Sequence, residues 1–252
     1  MCFDSDSLPP IPVLSGGALT HEDLVLESDG AKFAAFAALP DEPSGAGVVI
    51  LPDVRGLYRF YEELALRFAE RGYAALAIDY FGRSAGVEKR GDDFEYMPHV
   101  DRTTQKGLQA DIGTAVKWLR EHGCSAVFTV GFCFGGRNSW LAAASGHDLN
   151  GAIGFYGRPG AGRDGSPGPA QVADRIDAPI LALQAGADQN ITADDNKEFE
   201  EALAAAGVEH ELVTYDSAPH SFFDRKQEEF ADASADAWQR ALDFIERHRH
   251  RA

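Results

Sequence analysis

Five consecutive residues, Gly131-Phe132-Cys133-Phe134-Gly135, set a thiol between glycines at two-residue spacing. They follow the apolar run Ala126–Val130 and precede a helix-like segment, so the cysteine stands where a strand hands over to a helix. This is the Gly-x-Ser-x-Gly form of a nucleophile elbow, with cysteine in place of serine. In such a turn the positions two before and two after the nucleophile meet in space, and side chains there would clash. The turn exposes Sγ and aims it at the first turn of the next helix, whose dipole and free N–H groups favour a thiolate. The same glycines also suit a tight strand-to-helix crossing in which Cys133 is a small buried apolar residue. Cys2 and Cys124 have no comparable setting, and Cys124 reads as structural.

A thiol nucleophile needs a base, and the base needs an orienting acid. In the chain order nucleophile, acid, histidine, Asp188 comes 55 residues after Cys133, just past the apolar run "LALQAG". His220, in "YDSAPHSFFDR", comes 32 residues later. These intervals suit one or two intervening strand–helix units. Asp194 and Asp195 are alternative acids, one of them expected to serve a helix start. Of the other histidines, His99 lies in a long polar insertion from which it could approach the cleft; the rest sit in polar or terminal settings. An oxyanion needs two backbone donors. The N–H of Phe134 supplies one, and the loop "PDVRGLY" nominates the N–H of Val54 for the other. Its neighbour Asp53 could reach the thiol, or cap the helix that follows.

The elements that must position these groups can be read from periodicity. "EDLVLESDGAKFAAFAALP" predicts two strands around the turn Ser28-Asp29-Gly30. The short continuous apolar runs Gly47–Pro52, Tyr73–Asp79 and Ala126–Val130 predict strands buried on both faces. "GAIGFY", "PILALQAG" and "EHELVTYD" add three more. Amphipathic helices are expected over Tyr58–Arg71, around Leu108–Leu119, over Asp194–Ala206 with a Thr192/Asp195 capping box, and over Ala233–Arg247. Strands alternating with helices give a mostly parallel sheet covered on both faces, with chemistry at the strands' carboxyl ends. The Gly- and Pro-rich stretch Arg158–Arg175 reads as a surface excursion near that edge. One α/β domain over residues 1–252 is expected, with 1–21 as an N-terminal extension.

The chain has 252 residues and a formal net charge of -17. That balance argues against nucleic acid and anionic membranes as partners. No signal-like N-terminus and no apolar run of about 18 residues is present. Three cysteines without Cys-x-x-Cys or His-Glu-x-x-His spacing argue for a reducing cytoplasm and against a disulfide framework or a zinc site. No cofactor is expected, and the chain is expected as a monomer or small homo-oligomer.

Taken together, "GFCFGG", "GADQ", "PHSF", "LPDVRGLY" and "IDYFGR" resemble the dienelactone hydrolase family, from about Glu22 to the last helix. The resemblance implies an α/β-hydrolase fold and a cofactor-free Cys133–Asp188–His220 triad. Its implied reaction opens carboxylate-bearing enol-lactones in aromatic-ring degradation. By position Arg83 matches the arginine that binds the substrate carboxylate in the family. Bidentate grip of a carboxylate by arginine makes physical sense there. Two positions depart from the pattern. The family's glutamate beside the nucleophile is here Asp53. The place of its second arginine, four residues after the histidine, is here Asp224, with Arg225 one later. The expected activity is therefore ester or enol-lactone hydrolysis through a thioester acyl-enzyme. A general carboxylesterase or thioesterase is the nearest alternative, and a redox-responsive or ligand-binding protein on the same scaffold is another.

Overall fold

The protein is described from a computed structural model that covers residues 3–251 except 5, 16, 17, 163 and 164. Eight strands form one sheet: β1 (Leu19–Ser28), β2 (Ala31–Pro40), β3 (Ala46–Leu51), β4 (Ala74–Ile78), β5 (Ala126–Phe132), β6 (Gly151–Phe155), β7 (Ile180–Ala185) and β8 (His210–Tyr215). Their order is β1-β2-β4-β3-β5-β6-β7-β8. The hairpin β1–β2 and the β2–β4 pair are antiparallel; from β4 to β8 every pairing is parallel. The expected fold, a mostly parallel sheet with an antiparallel hairpin at its start, is the one observed.

The helices are α1 (Arg59–Ala69), α2 (Gly82–Ala85), α3 (Met97–Val100), α4 (Gln105–Glu121), α5 (Phe134–Ala142), α6 (Ala193–Ala205) and α7 (Ala231–His248). Strands β3 to β7 are buried throughout, because helices cover both faces. Alternate side chains divide between two cores. Val48 and Ile50 join Phe60, Leu64 and Phe68 of α1 and Phe244 and Ile245 of α7. Val49 and Leu51 face Leu108, Ile112 and Leu119 of α4, with Trp140 of α5 and Phe199 of α6. The expected capping box forms: Thr192 Oγ1 accepts from the Asp195 N–H at 3.2 Å, and Asp195 Oδ2 accepts from the Thr192 N–H at 2.7 Å.

Three features differ from the expectations. The polar stretch after β4 contains two short helices, α2 and α3, which have no periodic apolar stripe to betray them. β5 runs on to Phe132, so the elbow begins inside the sheet. β1 starts at Leu19, inside the expected 1–21 extension. Upstream, Phe3 stacks on Phe60 at 4.2 Å between ring centroids, and Ser7 Oγ donates to Asp224 Oδ2 at 2.7 Å. Among the described residues, no helix is long and apolar enough to cross a membrane.

Candidate active site

Cys133 sits between β5 and α5 with φ 54° and ψ −110°. A non-glycine residue at positive φ carries strain, and such strain persists only where surrounding contacts impose it. The contacts are identifiable. Cys133 N–H donates to the Phe155 carbonyl on β6 at 2.9 Å, and the Arg137 N–H returns to the Cys133 carbonyl at 3.2 Å. A Cβ on Gly131 would overlap the Gly135 carbonyl oxygen, and one on Gly135 would overlap the carbonyl oxygens of Leu51 and Pro52. The glycines two before and two after the thiol are therefore there because backbone fills the space.

His220 and Asp188 meet at the carboxyl end of β7. His220 Nδ1 lies 2.5 Å from Asp188 Oδ2, and the carboxylate side chain is almost wholly buried. The other carboxylate oxygen accepts the N–H of Asn190 at 2.8 Å and of Ile191 at 3.3 Å. Burial works to raise the Asp188 pKa, but the bond from His220 and the backbone N–H groups outweigh it and hold the carboxyl below its ordinary value. The His220 ring packs against the fully buried ring of Tyr156, with centroids 4.9 Å apart. Tyr156 is itself at positive φ, 37°. Of the alternative acids, Asp195 is spent on the α6 cap.

Among the described residues, neither the Val54 nor the Phe134 N–H has a hydrogen-bond partner. Two amides free to donate are what an oxyanion site requires. Asp53, next to Val54, is fully buried, yet it makes no hydrogen bond to the thiol. Its Oδ1 takes the Arg55 N–H at 2.9 Å, and its Oδ2 takes the Tyr58 O–H at 3.1 Å and the Arg55 guanidinium at 3.3 Å. A carboxylate on so short a side chain is captured by the guanidinium two residues along.

Of the expected substrate arginines, one is already engaged and the other exposed. Arg83, at the start of α2, ion-pairs with the buried Asp111 of α4. It donates as well to Ser28 Oγ at 2.8 Å and the Ser28 carbonyl at 3.2 Å. Burial pushes the Asp111 carboxyl up, while Arg83 and Ser28 pull it back. Arg225 is exposed, and its N–H donates to the Leu8 carbonyl at 3.1 Å. His99 lies on α3 with Nδ1 2.9 Å from Ser84 Oγ, stacked on Phe94, and so supports α2 instead of entering the elbow's surroundings. The 158–175 loop is held by Arg137, whose guanidinium donates to the carbonyls of Gly160 and Pro167.

Two buried clusters were not anticipated. Asp79, at the end of β4, accepts the Leu57 N–H at 3.0 Å and the Phe81 N–H at 2.9 Å, and pairs with the buried Arg90 at 2.8 Å. It thereby ties the loop carrying Val54 to the loop after β4. Tyr80 beside it donates to the Pro52 carbonyl at 2.7 Å and packs edge-on against Phe134. Burial, with the negative charges of Asp53 and Asp79 nearby, pushes its phenol well above the usual range. The second cluster is Arg83–Asp111–Ser28. A signal for it existed: Asp111 falls on the apolar face of α4 between Leu108 and Ile112, where an acid demands a cation.

Comparison with known proteins bears on the family and the fold. The model of the dienelactone hydrolase family matches residues 33–249. A carboxymethylenebutenolidase of Rhodococcus opacus is 30% identical over 258 residues, covering 98% of this chain and 97% of its own. A Klebsiella pneumoniae structure described provisionally as a dienelactone hydrolase has a TM-score of 0.78 at 27% identity, covering 90% of this chain and 98% of its own. A dienelactone hydrolase-like promiscuous phosphotriesterase from metagenomic libraries also reaches 0.78, at 22% identity, covering 92% of this chain and 99% of its own.

Proposed function

The chain belongs to the dienelactone hydrolase family, and from that premise we propose that it opens a lactone or ester through a thioester on Cys133. It is a dienelactone-hydrolase-like hydrolase; the nucleophile, its partners and the substrate are what this reading adds. The observation that carries it is a thiol held at positive φ on a glycine-walled elbow, in one chain with a histidine fixed to a buried carboxylate.

His220 Nδ1 is committed to Asp188, so Nε2 faces the reaction. Nε2 takes the thiol proton as Sγ forms its bond to the carbonyl carbon. The carbonyl electron pair moves to oxygen, where the Val54 and Phe134 amides stabilise it, by analogy at ~3 kcal/mol each. Collapse of the tetrahedral adduct expels the ring oxygen, which takes the proton back from Nε2, leaving a thioester. Water, deprotonated by the same nitrogen, then releases the carboxylic acid and the thiol. Asp188 stays ionised throughout, fixing the tautomer and stabilising the imidazolium. An enol leaving group departs readily, which suits a thiol nucleophile.

A general carboxylesterase is the second reading, favoured by the engagement of Arg83 with Asp111 and by the exposure of Arg225. One experiment addresses both. Hydrolysis of a carboxylate-bearing enol-lactone and of a neutral aryl ester is measured for wild type and Cys133→Ala. Loss of both activities in the variant with a strong lactone preference in wild type supports the lactonase; turnover of the neutral ester alone supports the esterase. A variant that keeps wild-type rates removes Cys133 from the chemistry.

A further inference from the structure

The loop between β3 and α1 carries one of the two amides assigned to the oxyanion, and its backbone donors can be followed one by one. The Asp53 N–H donates to Tyr61 Oη at 2.9 Å. The Arg55 N–H goes to Asp53 Oδ1 at 2.9 Å, and the Gly56 N–H to the Asp53 carbonyl at 3.1 Å. The Leu57 N–H goes to Asp79 Oδ1 at 3.0 Å. Among the described residues, no acceptor takes the Val54 N–H.

The peptide unit ahead of that amide is gripped at both ends by buried phenols. The Pro52 carbonyl accepts from Tyr80 Oη at 2.7 Å, and the N–H across the same peptide bond is the one held by Tyr61. A planar unit fixed at both ends cannot swing without leaving a buried polar group unpaired. The next unit, which bears the Val54 N–H, therefore starts from a set direction. The Pro52 carbonyl oxygen also lies against the elbow, where a Cβ on Gly135 would come within 2.4 Å of it. Tyr80 reaches the second donor as well: its ring packs edge-on against Phe134, with centroids 5.3 Å apart and planes at 73°. One side chain thus touches the loop of one donor through its hydroxyl and the residue of the other through its ring. Burial and the carboxylates of Asp53 and Asp79 keep the phenol protonated well above its usual range, so the bond to Pro52 persists into alkaline solution.

We propose that Tyr80 is a positioning residue of the reaction described above, on which this inference rests: through the Pro52 carbonyl and the Phe134 ring it sets the spacing and direction of the two oxyanion amides. It acts on the transition state through Val54 and Phe134. A misaimed donor costs rate where charge develops on oxygen and little where the neutral carbonyl binds, so the effect belongs in kcat.

The test is Tyr80→Phe, which keeps the ring on Phe134 and deletes the hydroxyl. It is assayed with a neutral aryl ester beside Cys133→Ala, at a temperature where its near-UV circular dichroism matches wild type. kcat should fall about 10- to 100-fold, with KM changed less than about twofold. Phenylacetaldehyde adds to Sγ as a hemithioacetal, the thiol proton ending on the former carbonyl oxygen, which sits at the two amides. Its affinity, followed by NMR of the isotopically labelled carbonyl carbon, should fall about tenfold or more, while that of phenylacetamide stays unchanged. A hydroxyl that merely props the fold would lower Tm and leave kcat and aldehyde affinity at wild-type values. That result, with Cys133→Ala inactive, overturns the positioning role while the thioester reaction stands. Wild-type rates in Cys133→Ala would instead remove the thioester, and this proposal with it. If wild type hydrolyses no ester offered, the aldehyde titration decides alone: weaker adduct formation in Tyr80→Phe supports the role, and equal affinity, or none in either protein, overturns it. Should Tyr80→Phe not fold, Tyr61→Phe frees the same peptide unit from its N–H end and is read by the same measurements.

Discussion

A Cβ on Gly131 would fall inside the van der Waals sphere of the Gly135 carbonyl oxygen. The intruded atom belongs to backbone that anchors α5, so no rotamer change relieves the overlap. Gly131→Ala should cost about 3 kcal/mol or more, the upper end for overpacking, and lower Tm by roughly 6–12 °C. Calorimetry checks this, and an unchanged Tm would mean the elbow is looser than described. Activity should fall further than stability, because the same shift re-aims Cys133.

Asp188→Asn keeps the size of the side chain and removes its charge. By analogy with other histidines deprived of their carboxylate, kcat should drop about 10³- to 10⁴-fold. Stability carries a pH signature. Against the effect of burial, the hydrogen bonds to Asp188 hold its folded pKa below the ordinary value. Its contribution is then complete above the unfolded value near 4 and is lost as pH falls through the lower folded one. The urea-midpoint difference between wild type and Asp188→Asn should shrink as pH is lowered from about 5 into the acid range below the unfolded value. A difference constant across that range would contradict the pairing.

The two described thiols should separate cleanly by alkylation. Burial pushes the Cys124 thiol up to about 11, and its Sγ lies where only 2.7 Å would separate it from a Cβ on Gly47. Native protein treated with iodoacetamide at pH 8 should be modified at Cys133 in step with loss of activity, while Cys124 stays unmodified, as peptide mapping would read. Because the folded value is raised, the Cys124 contribution to stability is full below its unfolded value near 9 and fades as pH rises to about 11. Relative to Cys124→Ala, wild type should lose up to about 3 kcal/mol over that interval. Equal alkaline profiles would refute the burial account.

Asp79 holds two backbone N–H groups and the buried Arg90. Asp79→Ala strands a guanidinium in the interior and should destabilise by about 3–5 kcal/mol, measured by urea unfolding. The loop carrying Val54 loses its tie as well, so kcat should fall even at low temperature where the variant remains folded. Wild-type kcat in that folded variant would separate Asp79 from the oxyanion loop.

How far the sequence carried these conclusions follows from the range of each interaction. Gly131, Cys133 and Gly135 were legible because the elbow is local: five residues dictate their own close approach. Buried strands were legible because double-sided burial leaves continuous apolar runs, as in Gly47–Leu51. Asp188 and His220 could be paired by chain order alone, since the parallel sheet delivers successive loops to one edge. Long-range polar pairing was not legible. Nothing near Arg90 announces Asp79, and nothing near Ser28 announces Arg83. Asp53 stayed open between the thiol and a helix cap because chain proximity says nothing about Arg55 competing for it. Only Asp111 left a trace, as an acid on an apolar helix face.

The N-terminal residues lead to a practical consequence for anyone preparing this enzyme. Phe3 touches both Phe60 and Tyr156, and Tyr156 is the surface on which the His220 ring rests. Leu8 and Ser7 clasp the backbone and the buried acid of the loop directly after that histidine. A substitution at Phe3 thus reaches the aromatic packing beneath the His220 ring, so preparations that differ at that residue are to be compared by rate before they are treated as one.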